Sequence, residues 1–180
     1  MALSATIYAF TIRLADADRG VYQTLNLRVA RHPSETEEFL FTRLLAYCLE
    51  HAEGVAFSKG LSDTEEPAIA VRDLTGVMLC WVDIGAPEAS RLHKAAKLAR
   101  RVAVYAHRDV GPWLARLRAE RIHRAEHIEI FEVDKALIAA LVERSNRRMD
   151  FDLSVSERTL YVSLGQETMS GTVELHRLNP

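Results

Sequence analysis

The chain has 180 residues, of which 48% are hydrophobic and 27% charged, with a formal net charge of −2. That length suits one domain spanning residues 1–180 and buries a core without disulfides or a structural metal. The near-neutral balance excludes a globally basic nucleic-acid binder but leaves room for a local basic patch, and no run approaches the roughly 18 apolar residues of a membrane span.

The N-terminal stretch "MALSATIYAFTIRLADAD" lacks the basic start and continuous apolar run of a secretory signal, so a cytoplasmic location and no membrane partner are expected. Cys48 falls in an apolar helical stripe and Cys80 in a strand run; both read as buried thiols of a reducing compartment. "ATIYAFTIRLAD" (Ala5–Asp16) alternates in polarity, "ADADRG" supplies turn residues, and "VYQTLNLRVA" (Val21–Ala30) repeats the alternation, which predicts a β-hairpin. A helix follows in "RHPSETEEFLFTRLLAYCLEHAEG". Ser34 is its expected N-cap, with Glu37 closing a capping box, and Gly54 marks the exit. Its buried stripe is Leu40, Phe41, Leu44, Leu45 and Cys48.

Three strands are predicted next: "VAFSKG", "PAIAVRD" and, after the turn "LTG", "VMLCWVDIG", which is apolar on both faces as in a covered central strand. "APEASRLHKAAKLAR" predicts a helix burying Leu92, Ala95, Ala96 and Ala99, and "RVAVYAH" a short buried strand. Then come a basic helix over "VGPWLARLRAERIHRAE", a strand over "HIEIFEVD" and a helix over "KALIAALVERS". Two or three closing strands lie in "MDFDLSVSERTLYVSL" and "GTVELHRL". No repeat or linker interrupts this order. It defines an α/β fold with a mixed sheet flanked by helices.

Two acids stand out in this frame. Glu66 precedes Pro67 at the start of one predicted strand, and Asp83 lies near the end of the next, so an antiparallel pairing would bring both to one open end. Paired carboxylates there have the chemistry to hold a hard divalent cation for phosphodiester hydrolysis. At about 100° per residue, Glu38 extends the buried side of the first helix toward its N-terminus and is the third candidate. Each has a structural alternative. Asp83 could accept amide hydrogen bonds from the helix starting near Pro87, Glu66 could sit in the solvated acidic loop "DTEEP", and Glu38 could simply favour the helix dipole.

Several stretches carry a family resemblance: "MALSATIYAFTIRLADADR", "ARHPSETEEFLFTRLLAY", "FSKGLSDTEEPAI", "CWVDIGAPEASRLHKA" and "VAVYAH", with "RHPSET" and "DTEEP" the most specific. They resemble the bacterial YaeQ family over essentially the whole chain. The resemblance implies a variant PD-(D/E)xK nuclease-like core with additional N- and C-terminal strands. Glu66 matches that superfamily's first acid and Asp83 its second, while the lysine position is occupied by Gly85. A relocated lysine is available at Lys94, with Arg91 one turn before it, although the helical wheel turns Lys94 about 160° from the apolar face.

Two functions of different kind follow. One is a magnesium- or manganese-dependent phosphodiesterase acting on nucleic acid, without an organic cofactor. Glu66 and Asp83 would bind metal, Glu38 would complete the shell through water, and Lys94 would orient the nucleophile. The other is a catalytically inactive nuclease-fold binding or regulatory module, to which the broken motif at Gly85 points.

The string "HRAEH" (His123, Glu126, His127) matches the order of inverted zinc peptidases, but it sits in an arginine-rich helix end and runs straight into a strand, which is the wrong setting for that chemistry. Arg91, Lys94, Lys97, Arg100 and Arg101 crowd one helix, and Arg116, Arg118, Arg121 and Arg124 another. They read either as a phosphate-tracking face or as ordinary solvated surface.

Overall fold

The computed structural model describes residues 4–59 and 64–179. Of the expected features, Gly60 at the end of "VAFSKG" and Asp63 of the acidic run lie outside the described residues. The elements are β1 (Thr6–Asp16), β2 (Val21–Arg31), α1 (Glu37–Leu49), β3 (Val55–Phe57), β4 (Ile69–Arg72), β5 (Met78–Ile84), α2 (Ala89–Leu98) and β6 (Arg101–Ala106). They continue with α3 (Gly111–Arg118), a single 3₁₀ turn (Ala125–His127), β7 (Ile128–Val133), α4 (Lys135–Glu143), β8 (Arg148–Ser156), β9 (Thr159–Leu164) and β10 (Glu167–Arg177). The fold is mixed α/β, with parallel and antiparallel strand pairs in the same chain.

The chain packs as two units, Met1–Phe41 with Val133–Val173, and Thr42–Glu132 with Glu174–Pro180. Each is built from two separated stretches, which is why no linker is visible in the sequence.

In the first unit, β1 and β2 form the predicted hairpin, in continuous antiparallel register from Thr6↔Arg31 to Asp16↔Val21. On its other edge β1 pairs in parallel with β8, which continues through antiparallel β9 and β10. Tyr8, Phe10, Ile12 and Leu14 are buried while the residues between them are not, as the alternation of β1 requires. α4 starts at an Asp134 cap whose carboxylate accepts from the Ala136 and Leu137 amides.

The start of α1 differs from expectation. Thr36 is the cap, its hydroxyl accepting from the Phe39 amide, whereas Ser34 is turned toward the His32 ring. Glu37 is the first helical residue and accepts from the Tyr8 hydroxyl at 3.2 Å instead of closing a capping box.

In the second unit, β3, β4 and β5 are successive antiparallel neighbours, and β5, β6 and β7 are parallel. Parallel neighbours need a crossover, and α2 and α3 supply it. One face of these strands packs Trp81, Val102, Val104, Ala106, Ile128 and Ile130 against Leu92, Ala95 and Ala96 of α2 and Trp113, Leu114 and Leu117 of α3. Gly54, with φ +85°, leads into β3 where a β-carbon would stand 1.8 Å from the Arg72 carbonyl oxygen, so no side chain fits. The predicted long basic helix stops at Arg118, and Arg124 takes a left-handed φ of 51°. "HRAEH" is therefore not helical, and its two histidines do not share a helix face.

The β8–β9 loop is the two-residue Glu157-Arg158, with φ of 50° and 57°. These are type I′ angles carried by two residues with β-carbons. The Asp18 carboxylate accepts from both loop amides, at 2.7 and 2.9 Å, and these bonds to Arg158 and Glu157 hold its carboxyl below the ordinary range. Replacing Glu157-Arg158 by Asn-Gly should raise stability by about 1 kcal/mol in urea unfolding, because those residues carry the left-handed angles at less cost. Asp18→Ala should lower the melting temperature above pH 5. The difference from the native chain should shrink as pH falls, since a depressed carboxyl contributes stability only while ionised.

Candidate active site around Asp83 and Arg91

Along β5, Trp81 and Asp83 point to one side of the strand and Cys80 and Val82 to the other. The Asp83 side chain is 4% exposed, and a carboxylate that deep requires compensation. Arg91, in the first turn of α2, provides it. Its Nε donates to Asp83 Oδ2 at 2.7 Å and its Nη2 to Oδ1 at 2.9 Å. The same guanidinium donates from Nη1 to the Thr64 carbonyl at 2.7 Å and from Nη2 to the Glu66 carbonyl at 2.9 Å. Its Cζ lies 5.3 Å from the centroid of the Trp81 ring. A planar fork does all of this at once; a lysine ammonium could not.

The expectation that Asp83 caps the next helix is corrected by this geometry. α2 begins at Ala89 with Glu88 as a cap that makes no side-chain bond, and Asp83 meets the helix through an arginine side chain.

The register Ile69↔Val82 puts the chain before β4 at the same end as Asp83. Glu66 is three residues short of the strand, and it meets the site through its backbone oxygen while its side chain is exposed. Lys94 is half-buried and ion-paired with Glu65, so it is neither free in solvent nor directed at Asp83. Glu38 lies exposed in the first turn of α1, which belongs to the first unit, whereas Glu66, Asp83 and Lys94 belong to the second. Gly85 has φ +96°, a left-handed conformation that a lysine would adopt only under strain.

Among the described residues, the group of three or more potential ligands that comes together is Glu132, Glu174 and His176, which contains none of the four expected residues. A cavity of about 460 Å³ opens past Gly85, between Ala86–Ser90 and Trp113, Arg116 and Leu117 of α3, with Glu120 just beyond that helix.

A second charged network lies on the opposite face of the parallel strands, the side that carries Cys80. Glu50, just past α1, accepts from Arg101 Nη1 at 2.7 Å, from Arg101 Nη2 at 3.0 Å and from the Tyr105 hydroxyl at 2.6 Å. Arg101 Nε also pairs with Glu129, and Nη1 lies 3.3 Å from Cys80 Sγ. Burial opposes the Arg101 charge, but the bonds from Glu50 outweigh it and hold the guanidinium above its ordinary range. Burial, followed by the Glu50 charge, pushes the Tyr105 hydroxyl well up and the Cys80 thiol up to about 12. Arg101, expected both among the basic residues of the preceding helix and at the head of the strand "RVAVYAH", opens β6. The usable signal was alternation, since Arg101, Ala103 and Tyr105 share one face of "RVAVYA".

The arrangement is that of a mixed α/β protein with an arginine-closed acid at the carboxyl end of its parallel strands. Known proteins place it further. The family profile described as "YaeQ protein" matches residues 1–173. Proteins described as "Uncharacterized protein YaeQ" are 33% identical in Salmonella typhi and 31% identical in Escherichia coli K12, each over 166 residues covering 91% of both chains. Crystal structures of YaeQ proteins are similar throughout. The one from Pseudomonas syringae has a TM-score of 0.87 at 31% identity, covering 95% of each chain. The one from Xanthomonas axonopodis pv. citri has a TM-score of 0.83 at 30% identity, covering 97% of this chain and 99% of that one. The chain belongs to the YaeQ family. No described helix is long and apolar enough to cross a membrane.

Arg91→Ala leaves a buried carboxylate without its cation and should cost about 2–4 kcal/mol in denaturant unfolding, less than the about 3–5 kcal/mol of a fully buried pair because Arg91 is itself 27% exposed. Asp83→Ala should cost less, since the freed guanidinium can reach water. The double variant should lose at least about 1 kcal/mol less than the sum of the two.

At pH 8 the Cys80 thiol should resist iodoacetamide in the folded chain and react at an ordinary rate in urea. Because the folded thiol keeps its proton to higher pH than the unfolded one, its contribution to stability is present below the ordinary thiol range. It is lost as pH rises from there toward 12.

Proposed function

We propose that this chain is a nuclease-fold binding module rather than a metal-dependent phosphodiesterase. The observation that carries the reading is the Arg91 fork, which occupies both oxygens of Asp83. A PD-(D/E)xK-like core is supported by the succession α1, β3, β4, β5, α2, β6, with antiparallel pairing as far as β5 and parallel pairing after it. Catalysis on such a core would need a magnesium or manganese ion on Glu66 and Asp83. That donor set does not fit the ion, because Asp83 already has its cation and Glu66 offers a carbonyl in place of a carboxylate. The lysine position, Gly85, is also held in a conformation that disfavours a side chain.

The partner the reading favours is nucleic acid, held by its phosphates. Lys97, Arg100, Arg116, Arg121 and Arg124 are all exposed in the second unit, and among the described residues none is in an ion pair. Arg124 lies beside the end of α2, where Nη2 donates to the Arg100 carbonyl at 3.5 Å. Exposed cationic side chains outside ion pairs are what phosphate contacts require. A cytoplasmic location is part of the same proposal.

The test uses the full chain with single- and double-stranded DNA and RNA, in magnesium and in manganese. No cleavage is expected. Binding is expected at low salt, weakening steeply as salt rises, and weaker by tenfold or more when Arg100, Arg116, Arg121 and Arg124 are changed together to alanine. Metal-dependent cleavage abolished by Asp83→Asn in a folded protein would overturn the binding-module reading. Absence of binding at 50 mM salt would remove nucleic acid as the partner.

A further inference from the structure

The Glu132–Glu174–His176 group lies in the second unit and belongs neither to the Asp83 site nor to the Glu50 network. Glu132 is the penultimate residue of β7, and Glu174 and His176 lie two apart on β10, the strand beside β7. Residues two apart on a strand share a face, so the backbone alone brings the two side chains together. His176 Nε2 is 2.9 Å from Glu132 Oε2 and 3.9 Å from Glu174 Oε1, and one potential ligand atom from each of the three lies within 4.8 Å of the other two. His176 and Glu132 are largely enclosed, with side chains 21% and 29% exposed, whereas Glu174 is 70% exposed.

Charge distinguishes this group from an ordinary ion pair. Among the described residues neither Glu132 nor Glu174 meets an arginine or lysine; their only partner is the one imidazole. The nearby Arg177 is paired with Glu129 instead. Two carboxylates thus face a single imidazole. A divalent cation is the natural complement.

We propose that Glu132, Glu174 and His176 form a binding site for a divalent first-row transition metal, with zinc as the ion of choice. One imidazole nitrogen and two carboxylate oxygens are a donor set for zinc, while magnesium and calcium favour oxygen alone. Bond lengths of about 2.0–2.2 Å require the three ligand atoms to close in by less than a side-chain rotation. The exposed side, next to Glu174, leaves the fourth position to water. The metal takes the place of the hydrogen that Nε2 shares with Glu132; that proton moves to Nδ1 or, from an imidazolium, to buffer. Glu132 also marks the carboxyl end of β7, and the carboxyl ends of parallel strands are where open α/β sheets carry their ligands.

The test is titration of the metal-free full chain with Co²⁺, followed by optical absorption, and competition by Zn²⁺ followed by calorimetry. One equivalent should bind at pH 7.5, with visible bands of the intensity a four-coordinate cobalt gives. His176→Ala should weaken binding at least a hundredfold and Glu132→Gln at least tenfold, with unchanged circular dichroism. Affinity should fall as the solution is acidified, because protons compete for the imidazole. The pair His93 and His123, whose rings are 6.0 Å apart, is the control, and His123→Ala should leave binding unaltered. Absence of stoichiometric binding, or binding that survives His176→Ala, would overturn the proposal.

Discussion

A carboxylate that is 4% exposed cannot remain charged without a partner, and the region around Asp83 is organised by that requirement. Arg91 meets it from the first turn of α2, which fixes where that helix begins relative to β5. With its remaining donors the same guanidinium holds the carbonyls of Thr64 and Glu66, so the approach to β4 is tied to the end of β5. Trp81 lies against the guanidinium, limiting its access to water. One ion pair therefore joins a helix, a strand and a loop.

The charged groups of the parallel strands are used in different ways. On the face that carries Cys80, Glu50, Arg101, Glu129 and Tyr105 satisfy one another, with two carboxylates on one guanidinium and the phenol donating to Glu50. At the carboxyl end, Asp83 is closed by Arg91, but the Glu132 group keeps an excess of negative charge, and the cavity past Gly85 is open. Fully satisfied polar clusters stiffen a core; incompletely neutralised ones are where ligands bind.

Much of the architecture was legible because it rests on periodicity. The alternation in Ala5–Ala30 gave the hairpin to within a residue at each end, and the Leu92/Ala95/Ala96/Ala99 face of α2 is buried as the helical spacing implied. Boundaries set by side-chain competition were less visible. Ser34 and Thr36 are both good caps, and a hydrogen bond to His32, two residues away in sequence, decided between them. The length of α3 was overread because arginine and alanine favour a helix, while the left-handed Arg124 belongs to the packing of the following turn. The candidate acids were found as residue types. What spacing could not reveal was that Glu66 turns its carbonyl inward, or that Arg91 pairs with Asp83. The Glu132–Glu174–His176 group was invisible for another reason: Glu132 precedes its two partners by more than forty residues, and no local pattern links them.

Both units draw on chain from either side of the other, and this has a consequence for biosynthesis. Leu178 belongs to the apolar cluster under α2 and α3, although the rest of that cluster is translated more than forty residues earlier. Those earlier residues leave the ribosome with part of their hydrophobic cluster uncovered, and they stay so until Leu178 follows them out. For that stretch of synthesis the nascent chain offers chaperones, or another nascent chain, an apolar surface that the folded protein hides.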